Sequence, residues 1–162
     1  MTSDLDTNMN KKKSSKNNKI YTLKITMLSH PFFGTVEKNT FRTLEIEGNT
    51  SLYDLANEIV TSFDFDFDHC FGFYSNRNLY KSDEIYELFT DLPDCEPNEN
   101  AEGVYKPTIS KVFTLGKKMI FLFDYGDNWH FLITCKDISD PVQYPRIIKQ
   151  NGKTPEQYPP CE

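Results

Sequence analysis

The strongest constraint on the fold is an apolar run, residues 119–123 (MIFLF), in which both alternating faces carry large hydrophobic side chains. A strand with two apolar faces must be covered on both sides, and such strands lie in the interior of a sheet. Residues 125–128 (YGDN) then have the composition of a tight turn. Residues 129–136 alternate apolar and polar side chains beyond that turn, with Trp129 first. The pattern predicts a β-hairpin whose first strand is central.

Two strands and one long helix are predicted ahead of this hairpin. Residues 21–27 alternate apolar and polar side chains, and residues 41–47 predict a second strand with Leu44 and Ile46 inward. Thr50 or Ser51 can cap the helix that follows. Six apolar residues fall on one stripe of that helix: Leu52, Leu55, Ala56, Ile59, Val60 and Phe63. A third strand is predicted at residues 69–74.

This order of elements predicts an α+β domain with a β-grasp-like mixed sheet. One main helix would pack on one face of the sheet, and the first and last strands would pair in parallel at its centre. The C-terminal hairpin would add an extra strand. Because a central strand already has two neighbours, the strand that begins at Trp129 must displace one of them or bend away.

The chain of 162 residues is predicted to contain a disordered, Lys-rich tail at residues 1–19 and a single α+β domain at residues 20–162. The tail has almost no large apolar side chains and cannot offset the entropy lost on ordering. Within the domain, residues 81–103 form an acidic insert with two prolines. We expect most of this insert to be solvated, with a short helical turn near residues 85–89.

Composition excludes several classes of function and favours one compartment. A net charge of −6 and only three arginines argue against broad nucleic-acid binding by the folded domain, although the Lys-rich tail can serve as an electrostatic arm. No apolar run approaches the roughly 20 residues of a membrane span. The four cysteines form no CxxC pair, and no secretory signal precedes them, so we expect reduced thiols and a cytoplasmic protein. No phosphate loop or nucleophile motif occurs, and we assign no catalytic residue, metal ligand or cofactor.

The best candidate ligand-binding site is the predicted hairpin. Asp124, Asp127 and His130 can converge beside Trp129 on a cation or a polar ligand, since carboxylates with imidazole suit divalent metals. The alternative is purely structural, because Asp and Asn also build tight turns and Trp129 would then pack in the core. His69 follows Asp68 and is expected to have a carboxylate partner. It would pair with Asp127 if the third strand begins near the hairpin.

Three segments resemble the family of plasmid open-reading-frame-three-like proteins, whose relatives travel as passengers in insertion elements. The first segment joins residues 21–34 (YTLKITMLSHPFFG) to residues 41–66, the second is residues 65–73 (FDFDHCFGF), and the third is residues 121–133 (FLFDYGDNWHFLI). The third contains a D-Y-G-D-x-W core that is quite specific. The resemblance implies a protein associated with plasmids and mobile elements.

The function expected from all of this is a non-enzymatic binding or adaptor module with a protein or peptide partner. One alternative is a metal-assisted hydrolase that uses Asp124, Asp127, His69 and His130. A second is a nucleic-acid accessory protein that uses the Lys-rich tail. An enzyme requires these side chains within a few ångströms of one another in a pocket, whereas a binding module requires only an exposed edge or an apolar patch.

Overall fold

A computed structural model describes residues 19–28, 40–141 and 149–158. Apart from Lys19, the predicted tail lies outside the described residues, as does the segment 29–39. The elements in chain order are β1 (Ile20–Met27), β2 (Phe41–Glu47), α1 (Leu52–Ser62), β3 (Phe71–Tyr74), a 3₁₀ turn (Leu79–Lys81), β4 (Ile85–Glu87), a second 3₁₀ turn (Leu88–Asp91), α2 (Ile109–Val112), β5 (Lys118–Phe123), β6 (Trp129–Ser139) and β7 (Lys149–Asn151).

The seven strands form one sheet in the order β4-β3-β5-β6-β1-β2-β7. With one main helix beside this sheet, the predicted α+β class is confirmed. The predicted mixed sheet is wrong, because each pairing between these strands is antiparallel. The cause is the hairpin: β6 turns back from β5 and lies between β5 and β1. The strands β1 and β5 therefore run in the same direction, as predicted, but each pairs with β6 instead of with the other.

Helix α1 covers one face of the sheet through the apolar stripe that the sequence predicts. All six residues of that stripe are buried, and the ring of Phe63 lies 4.9 Å from that of Phe131 in β6. The hydroxyl of Ser51 accepts a hydrogen bond from the backbone N–H of Asp54 at 3.1 Å, which confirms the predicted N-cap. The stripe thus fixes the helix on the sheet.

The opposite face carries a smaller apolar cluster. Its buried members are Tyr74, Ile85, Ile120 and Leu122. Because Ile120 and Leu122 face this cluster while the alternate residues of β5 face α1, the central strand is buried on both sides, as predicted.

The acidic insert contributes an edge strand to the sheet, which the sequence analysis did not predict. Ile85, Tyr86 and Glu87 form β4 and are buried, so the expected helical turn is wrong at these residues and a 3₁₀ turn begins only at Leu88. The backbone of Glu102 covers the outer edge of β4, accepting from the N–H of Glu87 at 2.8 Å and donating to the carbonyl of Ile85 at 2.9 Å. The buried side chains of Ile85 and Tyr86 explain why this part of the acidic insert is folded against the sheet.

A buried arginine ties the C-terminal strand to the rest of the domain. Arg42 in β2 is only 4% exposed, and its guanidinium lies 4.8 Å from the centre of the Phe63 ring. It donates hydrogen bonds to the carbonyls of Ser62 at 2.8 Å, Asn151 at 3.1 Å and Gly152 at 3.3 Å. Arg42 therefore joins the end of α1 to the end of β7, from which the chain continues toward residues 157–158.

Candidate functional site

Asp124 shapes the turn between β5 and β6. Its backbone lies in the left-handed region (φ 65°), which aspartate tolerates better than most residues. One carboxylate oxygen accepts hydrogen bonds from the N–H groups of Gly126 at 3.0 Å and Asp127 at 3.2 Å. The carbonyl of Asp124 accepts from the N–H of Asn128 at 2.6 Å. This buried carboxylate thus holds the turn with one oxygen, leaving the other to face His69.

His69 lies just before β3 and is surrounded by carboxylates. Its Nδ1 is 2.7 Å from Oδ1 of Asp68, and its Nε2 is 3.5 Å from Oδ2 of Asp124. The hydrogen bond to Asp68 raises the pKa of His69 despite the opposing effect of burial, and the charges of Asp124 and Asp127 raise it further. The start of β3 therefore does meet the hairpin, but the hairpin carboxylate that contacts His69 is that of Asp124, while Asp127 acts through its charge.

Two residues near the end of the chain brace this site. The side-chain amide of Gln157 bonds both backbone groups of Asp66, accepting from the N–H at 2.7 Å and donating to the carbonyl at 3.1 Å. The hydroxyl of Tyr158 donates to Oδ2 of Asp68 at 2.7 Å and lies 3.0 Å from Nδ1 of His69. Sequence reasoning did not find Gln157 or Tyr158, because about 90 residues separate them from their partners and no local pattern marks them.

An open cleft of about 300 Å³ lies beside His69. Its aromatic wall begins with Tyr53 of α1, whose ring centre lies 5.3 Å from that of Phe67 and 4.8 Å from that of Tyr105. Tyr105 is 50% exposed, so its ring extends the aromatic surface outward. We call this the aromatic cleft; its lining residues are Tyr53, Phe67, Asp68, His69, Cys70, Phe71 and Leu88.

Two titratable groups of the aromatic cleft, Asp68 and Cys70, have shifted pKa values. These shifts favour a negatively charged carboxylate and a thiol that is not activated as a nucleophile. Burial raises the pKa of Asp68, but the hydrogen bonds from Tyr158 and His69 outweigh it and leave the pKa below its usual value, so the carboxylate stays ionised. Burial raises the pKa of the Cys70 thiol. A thiol is a poor nucleophile until it ionises, so Cys70 lines the cleft as a neutral group.

Two of the five predicted site residues lie elsewhere. Trp129 is 1% exposed and its ring packs 4.9 Å from that of Phe65, in the core beneath α1. His130 faces the other side of the sheet, since successive residues of a strand point to opposite faces. The proposed convergence of His130 with Asp124 and Asp127 is therefore wrong. Within the described parts of the chain, no group of three or more His, Cys, Asp or Glu side chains is placed to hold a metal ion.

A family model described as plasmid pRiA4b ORF-3-like protein matches residues 19–158, which is most of the chain. The chain belongs to this family. The matched range includes every strand of the sheet, both carboxylates that contact His69, and the bracing residues Gln157 and Tyr158. The resemblance found in the sequence is thus confirmed, and the site of this ORF-3-like protein lies within the matched region.

A solved structure supports the fold of the ORF-3-like chain. It is the crystal structure of a protein of unknown function from Methanosarcina mazei Go1, with a TM-score of 0.64 and 19% sequence identity. The match covers 86% of this chain and 74% of the other, and at this identity it supports the fold alone. No curated protein is significantly similar to the ORF-3-like chain. None of the helices in its described residues has the length and apolar character needed to cross a membrane.

Proposed function

We propose that this ORF-3-like protein is a non-enzymatic binding module whose aromatic cleft receives a positively charged side chain of a peptide or protein partner. The observation that carries the proposal is the combination of aromatic rings and an ionised carboxylate in one open cleft. Cations bind favourably over aromatic faces, most strongly where water is partly excluded. Tyr53 and Phe67 line the cleft together with Asp68, and the exposed Tyr105 packs against Tyr53.

The charge around the cleft favours a cation over an anion. Asp68, Asp124 and Asp127 together oppose the single positive charge that His69 carries when protonated, which leaves the site negative. Among the described residues that line the cleft, none is a Lys or an Arg. The net charge of −6 adds a long-range attraction for a basic partner.

The size of the cleft favours one side chain over a whole small-molecule ligand. Its volume of about 300 Å³ is at the lower limit of ligand pockets, which range from about 300 to 1,000 Å³. A peptide partner would place one Lys or Arg in the cleft. The aliphatic part of that side chain would lie against the rings while its charged end would approach Asp68.

The rival hydrolase is less well supported. It requires His130 near Asp124 and Asp127, and His130 faces the opposite side of the sheet. Among the described residues that line the cleft, Cys70 is the one sulfur nucleophile, and burial raises the pKa of its thiol and keeps it neutral. A nucleic-acid role through the Lys-rich tail stays a prediction, and the tail lies outside the described residues apart from Lys19. The β-grasp relationship, the association with mobile elements and the cytoplasmic location also stay predictions.

Calorimetric titration of the full chain with two matched peptides tests the proposal. Each peptide has a Gly-Ser background, with a central arginine in one and its uncharged isostere citrulline in the other. The arginine peptide is expected to bind with a dissociation constant on the order of 0.1–1 mM, and the citrulline peptide at least about tenfold more weakly. Equal affinity for the two peptides, or no binding of either, would contradict the proposal.

Two substitutions locate the binding in the cleft. Asp68→Asn removes the carboxylate and Tyr53→Leu removes an aromatic face while keeping apolar volume. Each substitution is expected to weaken the binding of the arginine peptide about three- to tenfold. The control is Asp83→Asn, which removes an exposed charge away from the cleft and should leave the affinity unchanged. If Asp83→Asn weakened binding as much as Asp68→Asn did, the attraction would come from overall charge and not from the cleft.

A further inference from the structure

Two adjoining hollows lie on the face of the sheet opposite α1. Their volumes are about 290 Å³ and about 260 Å³, and both are lined by Arg77 and Ile120. The first is also lined by Ser75, Lys118, Met119 and Leu132, and the second by Leu28 and His130. Because they share two lining residues, we treat them as one surface, the basic groove. It is separate from the aromatic cleft, whose rings pack in the core on the α1 side.

The floor of the basic groove is apolar. Ile120 of β5 and Leu132 of β6 are direct cross-strand partners and belong to the apolar cluster of this face. Leu132 and Leu28 are only half-buried, so apolar surface remains accessible in both hollows. An apolar floor with a few polar groups around it is the usual composition of a small-molecule site.

The two cations of the groove differ from Lys111 and Lys117 in their ion pairing. Lys111 lies 3.1 Å from Glu102, and Lys117 lies 2.7 Å from Glu84. Arg77 and Lys118 are exposed, and neither forms an ion pair with a carboxylate in the described segments of the chain. In a protein with a net charge of −6, two such cations grouped over an apolar floor form a local site of opposite sign.

Arg77 is carried by a turn that its neighbours hold in place. The N–H of Asn76 donates to the hydroxyl of Ser82 at 2.9 Å. The N–H of Asn78 donates to the side-chain oxygen of Asn76, also at 2.9 Å. The backbone on both sides of Arg77 is therefore fixed before any ligand arrives, which lowers the entropy cost of binding.

We infer that the basic groove is a second binding site, for an anionic ligand with an apolar chain, of the medium-chain carboxylate class. The guanidinium of Arg77 can bind both oxygens of a carboxylate, a geometry for which arginine is better suited than lysine. Lys118 adds positive charge at one end of the groove. The apolar chain of the ligand would cover Ile120 and Leu132, where neither a short anion nor a cation would be retained.

The test uses the full chain and three probes: decanoate, acetate, and decane-1,2-diol, which has a chain of the same length and no charge. Decanoate is expected to saturate the protein with a dissociation constant on the order of 1 mM or lower, and the two other probes at least about tenfold more weakly. Failure of decanoate to saturate would overturn the inference. So would equal binding of decane-1,2-diol, which would indicate apolar attraction alone.

Substitutions assign the site. Arg77→Gln is expected to weaken the binding of decanoate about tenfold, since it removes a charge-assisted hydrogen-bonding pair. Leu132→Asn removes apolar surface from the floor and is expected to weaken it about threefold. Lys106→Gln removes an exposed charge outside the groove and should leave the affinity unchanged. If Arg77→Gln bound decanoate as tightly as the unmodified chain, the inference would be wrong. Binding of a short acidic peptide in the groove without any binding of decanoate would likewise reject the proposed ligand class.

Discussion

Replacing Asp124 with alanine tests how the hairpin turn and His69 are held together. Asp124 has a left-handed backbone, accepts hydrogen bonds from two turn amides with one oxygen, and faces Nε2 of His69 with the other. Alanine would retain none of these interactions. The substitution therefore distinguishes two possibilities: that the buried carboxylate of Asp124 stabilises the turn, or that the turn forms equally well without it.

The expected loss of stability follows from these contacts. The two turn amides share a single oxygen, so we count them as one charge-assisted interaction of about 1.5–3 kcal/mol. Alanine in the left-handed region adds about 1 kcal/mol relative to aspartate. Asp124→Ala is therefore expected to lower the free energy of unfolding by about 3 kcal/mol, measured by urea denaturation.

Asp124→Asn is the matched control. Asparagine tolerates the left-handed backbone and keeps an oxygen acceptor, so it should cost only about 1 kcal/mol. It does remove the charge beside His69, and an NMR titration of the imidazole should show a lower pKa than in the unmodified chain. An Asp124→Ala variant within about 0.5 kcal/mol of the unmodified chain would refute the account of the turn. An unchanged His69 titration in Asp124→Asn would refute the pairing.

Two further predictions concern His69 and Arg42. Because the pKa of His69 is raised in the folded chain, its charge stabilises the fold below the unfolded value of about 6.5, and this contribution is lost as the pH rises through the raised value. The unfolding free energy of His69→Gln should therefore fall below that of the unmodified chain at about pH 5.5 and match it at about pH 9. The difference should be modest because the His69 side chain is 41% exposed. A difference between the two chains that grew with pH would contradict this account of the His69 charge. Arg42→Met removes the donor to four backbone carbonyls, those of Phe41, Ser62, Asn151 and Gly152. It is expected to lower the free energy of unfolding by about 2–4 kcal/mol in urea denaturation, against about 0.5 kcal/mol or less for the exposed Arg77→Gln. Equal losses in the two variants would contradict the anchoring role.

The strands and the helix that were predicted from hydrophobic periodicity are those with enough apolar residues to define a face. The alternation in β1 and β2, the stripe of α1 and the two-sided run of β5 each contain enough apolar residues to define a face, and all of them are confirmed. Strand β4 has only three residues, inside an acidic stretch, and no pattern of that length is decisive. Its position depends on pairing with β3, which is a tertiary contact.

The candidate site was predicted only where its residues are marked by local chemistry. His69 and Asp124 were found because an imidazole beside a carboxylate and a turn-forming aspartate are visible in sequence. Gln157 and Tyr158 were not found, since their roles arise from contacts with residues about 90 positions away. Arg42 could have been found, because the alternation that points Leu44 inward also points Arg42 inward, where a cation requires partners.

The pairing of the central strands was the main error of the fold prediction, and its cause is specific to the hairpin. The sequence predicts correctly that β1 and β5 share a direction, but local patterns do not encode which strands are neighbours. Only the insertion of β6 between them makes both central pairings antiparallel. That insertion also fixes the hairpin turn at the end of β5, where Asp124 meets His69.

The central claim is that a positively charged side chain binds over the aromatic wall next to Asp68, and proton NMR of the complex tests it most directly. Protons held above an aromatic ring move upfield, so the side-chain methylene signals of the bound arginine peptide should shift upfield and show cross-relaxation with the rings of Tyr53 and Phe67. Arginine signals that keep their free positions at saturating protein, or cross-relaxation only with residues outside the aromatic cleft, would contradict the claim.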